Sequence, residues 1–141
     1  MIEVIPARPE MANAIDLQAV QRISGMAVTP ENLAEFIKMG PAFACVDDSV
    51  LAILGVFPAW EGRSVAWGLL SHSIGARMLP IHRAVLRGLD DLFKVRRVEA
   101  YVAAGHEEGA RWVRMLGFEY EGYMKSFYGE EDYALFARIR S

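Results

Sequence analysis

Two histidines stand just after apolar strands, and an imidazole can accept or release a proton near neutral pH. His72 follows the run Ser64–Ser71, and His106 comes soon after the run Val98–Ala103. His106 also begins the segment HEEGARWVRMLGF, which predicts a short helix over Glu107–Leu116. We predict a proton-transfer role for each histidine, although an exposed loop position for His72 and a helix cap for His106 would explain the same pattern.

A glycine and an aromatic residue mark the end of that helix. Gly117 fits the left-handed residue that commonly terminates a helix, and Phe118 can fold back onto the last turn. The segment from His106 to Phe118 therefore predicts a complete unit of helix start, helix and glycine stop after a buried strand.

The remaining periodicity and turn residues predict the elements that position this unit. The predicted strands are Ile2–Pro6, Ala42–Val46, Val50–Phe57, Ser64–Ser71, Val98–Ala103, Tyr120–Tyr128 and Asp132–Ile139. The predicted helices are Met11–Ile23, a helix from Thr29-Pro30-Glu31 to Gly40-Pro41, Pro80–Phe93 and Glu107–Leu116. The segment Pro58–Arg63 is predicted to be a loop. The order β-α-α-β-β-β-α-β-α-β-β suits an α+β or mixed α/β domain with a central, largely antiparallel sheet.

Composition narrows the class of protein. The 141 residues, 53% hydrophobic and 23% charged, predict one globular domain over 1–141. A net charge of −3 argues against a nucleic-acid partner. The single cysteine, Cys45, lies in an apolar run and is predicted to be buried, and no Cys/His spacing suggests a metal site. With neither a signal peptide nor a membrane-length apolar run predicted, we expect a cytoplasmic protein.

The element order and the His106–Phe118 segment together resemble the GNAT-type acyl-CoA N-acetyltransferases. The common pattern of that family in this segment is Asn-x-x-Ala-x-x-Leu-Tyr-x-x-x-Gly-Phe. The resemblance implies the GNAT fold, with about seven strands and about four helices, and acetyl-CoA as cosubstrate. It also implies direct transfer of an acetyl group to a primary amine on a small molecule or a protein.

The resemblance further implies that acetyl-CoA lies in a gap beside the strand Ser64–Ser71, with its pyrophosphate on the amides of the following loop, Ser71–Leu79. Here the usual two-glycine spacing is absent, and Gly75-Ala76 and Arg77 remain for the anion. A plain strand-to-helix turn is the alternative. The predicted cofactor-binding residues are Leu69, Leu70, Ser71, Ser73, Ile74, Gly75, Ala76, Arg77, Met78 and His106.

The same resemblance bears on catalysis. Many GNAT enzymes protonate the departing thiolate with a tyrosine of this helix, and that position is Val113, which has no transferable proton. The family's asparagine falls on His106. The predicted catalytic residues are therefore His72, as a base for the amine, and His106 and Tyr128, as acids for the thiolate.

The run Arg111–Phe118 also resembles GNAT-like proteins of tailed bacteriophages, including the T7-type internal virion protein A group, in which an aliphatic residue replaces the tyrosine. This implies an alternative: a catalytically degenerate module in the host cytoplasm or the virion, with phage virion proteins or a second copy as partners. A gap closed by Trp67 or Trp112 would favour this module, whereas an open V-shaped gap would favour the enzyme.

Overall fold

The computed structural model describes residues 1–16, 28–91 and 95–140. The strands are β1 Glu3–Pro6, β2 Ala42–Val46, β3 Val50–Trp60, β4 Arg63–Leu70, β5 Arg97–Ala103, β6 Glu119–Tyr128 and β7 Glu131–Ile139. The helices are α1 Met11–Ala14, α2 Pro30–Met39, α3 Met78–Asp91 and α4 Glu107–Met115, and a short 3₁₀ turn, Gly75–Arg77, leads into α3.

All seven strands form one sheet in the order β1-β2-β3-β4-β5-β7-β6. Every neighbouring pair is antiparallel except β4 and β5, which run parallel. The parallel pair requires a crossover connection, which α3 provides. The predicted α+β fold class, with a mostly antiparallel sheet of seven strands and four helices, is confirmed.

The helices cover both faces of the sheet and define its two cores. On the α3/α4 face, Val85 and Leu89 of α3 pack with Val102 of β5 and Phe136 of β7. On the α1/α2 face, α1 and α2 cover strands up to β4; the buried residues there include Leu33, Phe36, Ile53, Trp67 and Leu69. The two cores hold the middle of the sheet between helices, where β4 and β5 meet.

The first predicted helix is wrong in its extent. Helix α1 ends at Ala14, and Ile15 has an extended backbone with φ −85° and ψ 133°. Ile15 is 7% exposed and packs in the α1/α2 core, so tertiary burial there overrides the helical periodicity of the local sequence. The rest of the predicted helix and its Ser24-Gly25 stop lie outside the described residues. The start of α2 is confirmed, because the Thr29 hydroxyl accepts a hydrogen bond from the Asn32 amide.

The predicted loop Pro58–Arg63 is also wrong, since β3 continues to Trp60 and β4 begins at Arg63. The pairing of β3 with β2 ends at Gly55, so Pro58 has no described strand beside it on that side. A proline is tolerated at such an edge, and a bulge between Pro58 and Trp60 takes up the irregularity.

Cys45 is fully buried in β2, as predicted. Burial raises the pKa of its thiol to about 11, which keeps it protonated at neutral pH. Within the described ranges, no helix combines the length and the apolar character needed to cross a membrane.

Candidate functional site

The parallel strands β4 and β5 are paired at one end and separate at the other. Their register runs from Arg63 opposite Arg97 to Ala66 opposite Ala100 and then stops. The next three residues of β4, from Trp67 to Leu69, pair with β3 and not with β5. On the β5 side, the backbone groups of these three residues are therefore available to another partner. We call this opening the split.

A cavity of about 140 Å³ occupies the split. Its wall includes Ala66 and Val102, which belong to the α3/α4 core, and Trp67, which belongs to the α1/α2 core. The cavity therefore crosses the plane of the sheet and is bounded from both faces. Trp67 and Trp112 both line this wall. An open V-shaped gap is the geometry predicted to favour the enzyme, and the two strands separate here around the cavity.

Helix α4 forms one side of the cavity and ends as the sequence predicts. Gly117 has φ +95°, its amide donates to the carbonyl of Arg114, and the amide of Phe118 donates to that of Val113. These two bonds make a Schellman motif, and Phe118 is buried against the core. The motif fixes the last turn of α4 so that Val113 and Leu116 face the cavity.

His106 stands at the start of α4 on the cavity wall, half-buried. Its ring lies directly over Gly109: a Cβ at that position would lie 2.5 Å from the imidazole Nδ1. Burial lowers the pKa of His106 below its ordinary value of 6.5, and the charge of Glu108 opposes this shift weakly. The imidazole is therefore mainly neutral at pH 7, when it can accept a proton.

Helices α3 and α4 are joined above the cavity by a side-chain hydrogen bond. The indole Nε1 of Trp112 donates to Nδ1 of His82 at 3.0 Å. His82, the third histidine of the sequence, is not among the residues that line the cavity, but it supports the cavity wall through this bond. Val113, at the position of the family's tyrosine, lies on the wall and offers no proton.

The predicted cofactor loop lies at the open end of β4. Of its residues, Leu70 lines the cavity, whereas Leu69 is fully buried in the α1/α2 core. Ser71 is also buried, and its amide donates to the carbonyl of Leu51, while its hydroxyl lies 2.8 Å from that of Ser73. These bonds hold the beginning of the loop against β3 and occupy its first amides.

The rest of the loop forms the first turn of a helix. Ile74 is buried in the α3/α4 core, and the 3₁₀ turn that follows, with Gly75 at φ +54°, leads into α3 at Met78. The amides of Ile74, Gly75 and Ala76 stand at this helical start, where N–H groups lack acceptors within the helix. Amides at such a position are suited to binding an anion.

Arg77, predicted to pair with phosphate, instead contacts the turn between β2 and β3. Its Nη1 lies 2.9 Å from Asp48 and 3.6 Å from Asp47, and its Nη2 donates to the carbonyl of Ser73. Arg77 lowers the pKa of Asp48 through this contact. The guanidinium therefore anchors the loop to the sheet.

Two predicted catalytic residues lie away from the cavity wall. The His72 side chain is 59% exposed, with Nδ1 3.3 Å from Asp16, and its amide donates to the Asp16 carbonyl. Tyr128 is 44% exposed at the end of β6, where it pairs with Glu131 beside the hairpin turn. The structure brings only His106, of the three, to the cavity.

Sequence analysis missed two tyrosines on the wall, Tyr101 of β5 and Tyr133 of β7. Tyr133 lies among several aromatic residues of the last two strands, a composition that also suits sheet packing. Side chains alternate between the two faces along β5, so Tyr101 lies on the opposite face of the sheet from Val98 and Val102. This alternation was the signal in the sequence that could have identified Tyr101. Both tyrosines line the part of the cavity on the α1/α2 side of the sheet.

A buried carboxylate marks the paired end of β4 and β5. Glu99 is 4% exposed, and Arg63 binds it through Nε and Nη2 at 2.7 Å each. The Nε of Arg97 and the hydroxyl of Tyr101 also donate to it, at 2.7 and 2.9 Å. These partners, with Arg63 the strongest, lower the pKa of Glu99 to about 2, so it remains ionised and is a poor base.

No protein-family model matches the chain, and no curated protein matches it. Solved structures do resemble it. The ribosomal-protein-S18-alanine N-acetyltransferase of Escherichia coli superposes with a TM-score of 0.75 at 18% identity, over 100% of this chain and 95% of that one. A GNAT-family acetyltransferase of Bacillus anthracis gives 0.69 at 13% identity, over 98% and 95%.

A spermidine/spermine N-acetyltransferase from Vibrio cholerae, in mutant forms, gives a TM-score of 0.70 at 11% identity, over 99% of this chain and 95% of that one. The names of two of them specify the acceptor, a ribosomal-protein alanine in one and spermidine or spermine in the other, and all three share the arrangement of strands and helices described above. The described residues of this protein therefore have the GNAT fold.

Proposed function

We propose that this protein transfers an acetyl group from acetyl-CoA to a primary amine. The observation that carries the proposal is the cavity in the split, which crosses the sheet and is lined by residues from both of its faces. Two substrates that meet end to end need such a passage. An apolar cavity of roughly 150 Å³ can hold a benzene-sized group, so about 140 Å³ suits an acetyl thioester and its first methylene groups.

The rest of acetyl-CoA would follow the open end of β4. The backbone from Trp67 to Leu69, which does not pair with β5, would bond the amides of the pantetheine arm. The amides of Ile74, Gly75 and Ala76 would hold the pyrophosphate at the start of α3, where the helix dipole favours an anion. In this proposal Arg77 holds the loop in place through Asp48.

In the reaction, the neutral amine attacks the thioester carbonyl carbon, a C–N bond forms and the C–S bond breaks. One proton must move from nitrogen to sulfur. Neutral His106 would take the proton from the amine and return it to the departing thiolate, so the imidazole ends unchanged. In this proposal His106 alone performs both the base role predicted for His72 and the acid role predicted for Tyr128.

The pH dependence of turnover tests this role of His106. Because burial lowers its pKa below 6.5, the rate should rise with pH through an apparent pKa below that value and then level off. His106→Gln should reduce kcat by about a hundredfold or more and remove this limb. A His106→Gln profile that kept the limb would assign the proton transfer elsewhere.

Titration calorimetry with acetyl-CoA tests the proposal itself. Gly68 lines the split, and a Cβ there would lie 3.2 Å from Leu54 Cδ2, so Gly68→Val should fill the cavity and weaken binding at least tenfold. Gly122→Val in β6 is the matched control, because a Cβ there meets open space. If the wild-type protein showed no binding at millimolar acetyl-CoA, the proposal would be refuted.

Val113 favours a second candidate, the non-catalytic module with phage virion proteins or a second copy as partners. In that case the split would be a remnant, and Val113→Tyr would restore no activity. Under the enzymatic proposal, Val113→Tyr places a phenol on the cavity wall and should leave acetyl-CoA bound. Binding of acetyl-CoA without transfer to any amine, in both forms of the protein, would support the module.

A further inference from the structure

We infer that the acceptor amine is carried on an aromatic or apolar body, which binds a wall formed by Tyr101, Phe127 and Tyr133. We call these three residues the aromatic wall. The inference rests on the proposed function and names the class of its second substrate. It follows from the position of the wall, its rigidity and the charges around it.

The Phe127 ring contacts both of the other rings of the aromatic wall. The Phe127 ring lies 5.0 Å from that of Tyr101 and 5.3 Å from that of Tyr133, measured between centroids, with interplanar angles of 65° and 55°. Tyr133 is 5% exposed, whereas Phe127 is 42% exposed. The wall therefore extends from a buried base to a face that a ligand can reach from solvent.

The aromatic wall is continuous with the cavity in the split. Tyr101 and Tyr133 line both, and Trp67 stands on the same side of the sheet. A ligand stacked on the wall would thus direct a short amine-bearing chain toward the thioester end of acetyl-CoA. In the proposed reaction this is the side opposite α3 and α4.

An irregularity in β6 puts Phe127 in this position. The register between β6 and β7 shifts between Met124 and Tyr128, and Ser126 has φ +48°, a conformation that is costly for a residue with a side chain. Asp132 holds the bulge, because it accepts from the Ser126 amide and the Tyr123 hydroxyl, each at 2.8 Å. Backbone strain that neighbouring contacts maintain, next to residues that line a cavity, is typical of a binding site.

The charges near the aromatic wall favour an acceptor without a second positive group. None of the described residues that line the cavity is Asp or Glu. Glu99, which accepts a hydrogen bond from the wall, is bound by Tyr101 and by two guanidinium groups, Arg63 and Arg97. Asp132, beside Tyr133 in the chain, is engaged by the Ser126 amide and the Tyr123 hydroxyl. A polyamine would need a free carboxylate for its second ammonium, which this arrangement does not supply.

Steady-state kinetics with three amines tests the inference: 2-phenylethylamine, spermidine and an alanine-initiated peptide. We expect kcat/KM for 2-phenylethylamine to exceed the other two at least tenfold. Phe127→Ala should lower that value about tenfold, mainly through KM, because a stacking surface is lost. Phe127→Leu should lie between, and the Kd for acetyl-CoA should not change in either variant.

Tyr120→Ala is the matched control, since Tyr120 is a half-exposed aromatic of the same strand that packs on Phe136, on the opposite face. It should leave the kinetics unchanged. A preference for spermidine or the peptide, or an unaffected Phe127→Ala variant, would overturn the inference while acetyl-CoA binding still supported the proposed function. Failure of acetyl-CoA to bind would overturn both.

Discussion

The same two parallel strands behave differently at their two ends. At the paired end, Arg63 of β4 and Arg97 of β5 both bind Glu99, and the register is regular as far as Ala66 and Ala100. At the open end, no register joins the strands, and an apolar cavity separates them. The ion pairs lie at the end where the backbones of β4 and β5 are hydrogen-bonded to each other. Apolar side chains line the end where the two backbones are separated.

The difference between the two ends shows how two neighbouring strands of one sheet can remain separated over part of their length. A parallel pair has no tight turn to fix its ends, so the side chains at the paired end hold the strands together. At the open end, α3 and α4 cover the cavity through contacts such as Trp112 with His82. The position of the split is therefore determined by a polar clamp on one side and by helix packing on the other.

The largest expected effect comes from breaking the clamp. Glu99→Gln should reduce the free energy of unfolding by about 3 kcal/mol at pH 7, since it leaves Arg63 and Arg97 without their buried counter-charge. Urea unfolding followed by circular dichroism measures this change. Glu130→Gln, at an exposed turn, is the control and should change stability by less than about 0.5 kcal/mol. An equal effect of the two variants would show that the clamp is unimportant.

Acid should weaken the same clamp in the unmodified protein. The pKa of Glu99 is about 2 in the folded state and near 4.5 when the group is unperturbed, so its contribution is complete above pH 4.5 and is lost as the pH falls toward 2. The contribution is about 3 kcal/mol, from 1.36 kcal/mol per pKa unit. Stability measured from pH 6 to 2 should fall less steeply in Glu99→Gln; parallel curves would contradict the assignment.

A smaller effect is expected where α4 ends at the open side. Gly117→Ala should cost about 1 kcal/mol, because alanine is strained at φ +95° and its Cβ would lie 3.3 Å from Arg138 Nε. Thermal unfolding would detect the change. Gly105→Ala, where a Cβ meets open space and φ is not positive, should be neutral or slightly stabilising. If both variants lost equal stability, the left-handed position would not be the cause.

The smallest effect concerns the brace between α3 and α4. Trp112→Phe removes the donor to His82 and should cost about 1 kcal/mol, similar to a single hydrogen bond. A double-mutant cycle with His82→Leu isolates this bond from the loss of packing. A coupling energy indistinguishable from zero would mean that apolar contacts alone hold the helices over the cavity.

The sequence alone determined the features that depend on neighbouring residues. The order of the elements, the Thr29 cap of α2 and the Schellman end of α4 at Gly117 all follow from residues within one or two turns, whose dihedral preferences and hydrogen bonds are local. The prediction failed at Ile15 and Pro58. There, burial in the core and the absence of a neighbouring strand, respectively, overrode the local signal.

Which residues come together in the site depends on tertiary contacts that the sequence does not show. Tyr101 and Tyr133 share a wall because β5 pairs with β7, and Glu99 is a poor base because Arg63 reaches it from another strand. The same packing put His106 on the cavity wall and left His72 on the surface beside Asp16. The type of a residue determines which chemistry its side chain can perform. Its hydrogen-bond partners and its burial come from distant parts of the chain, and they set its protonation state and what it can contact.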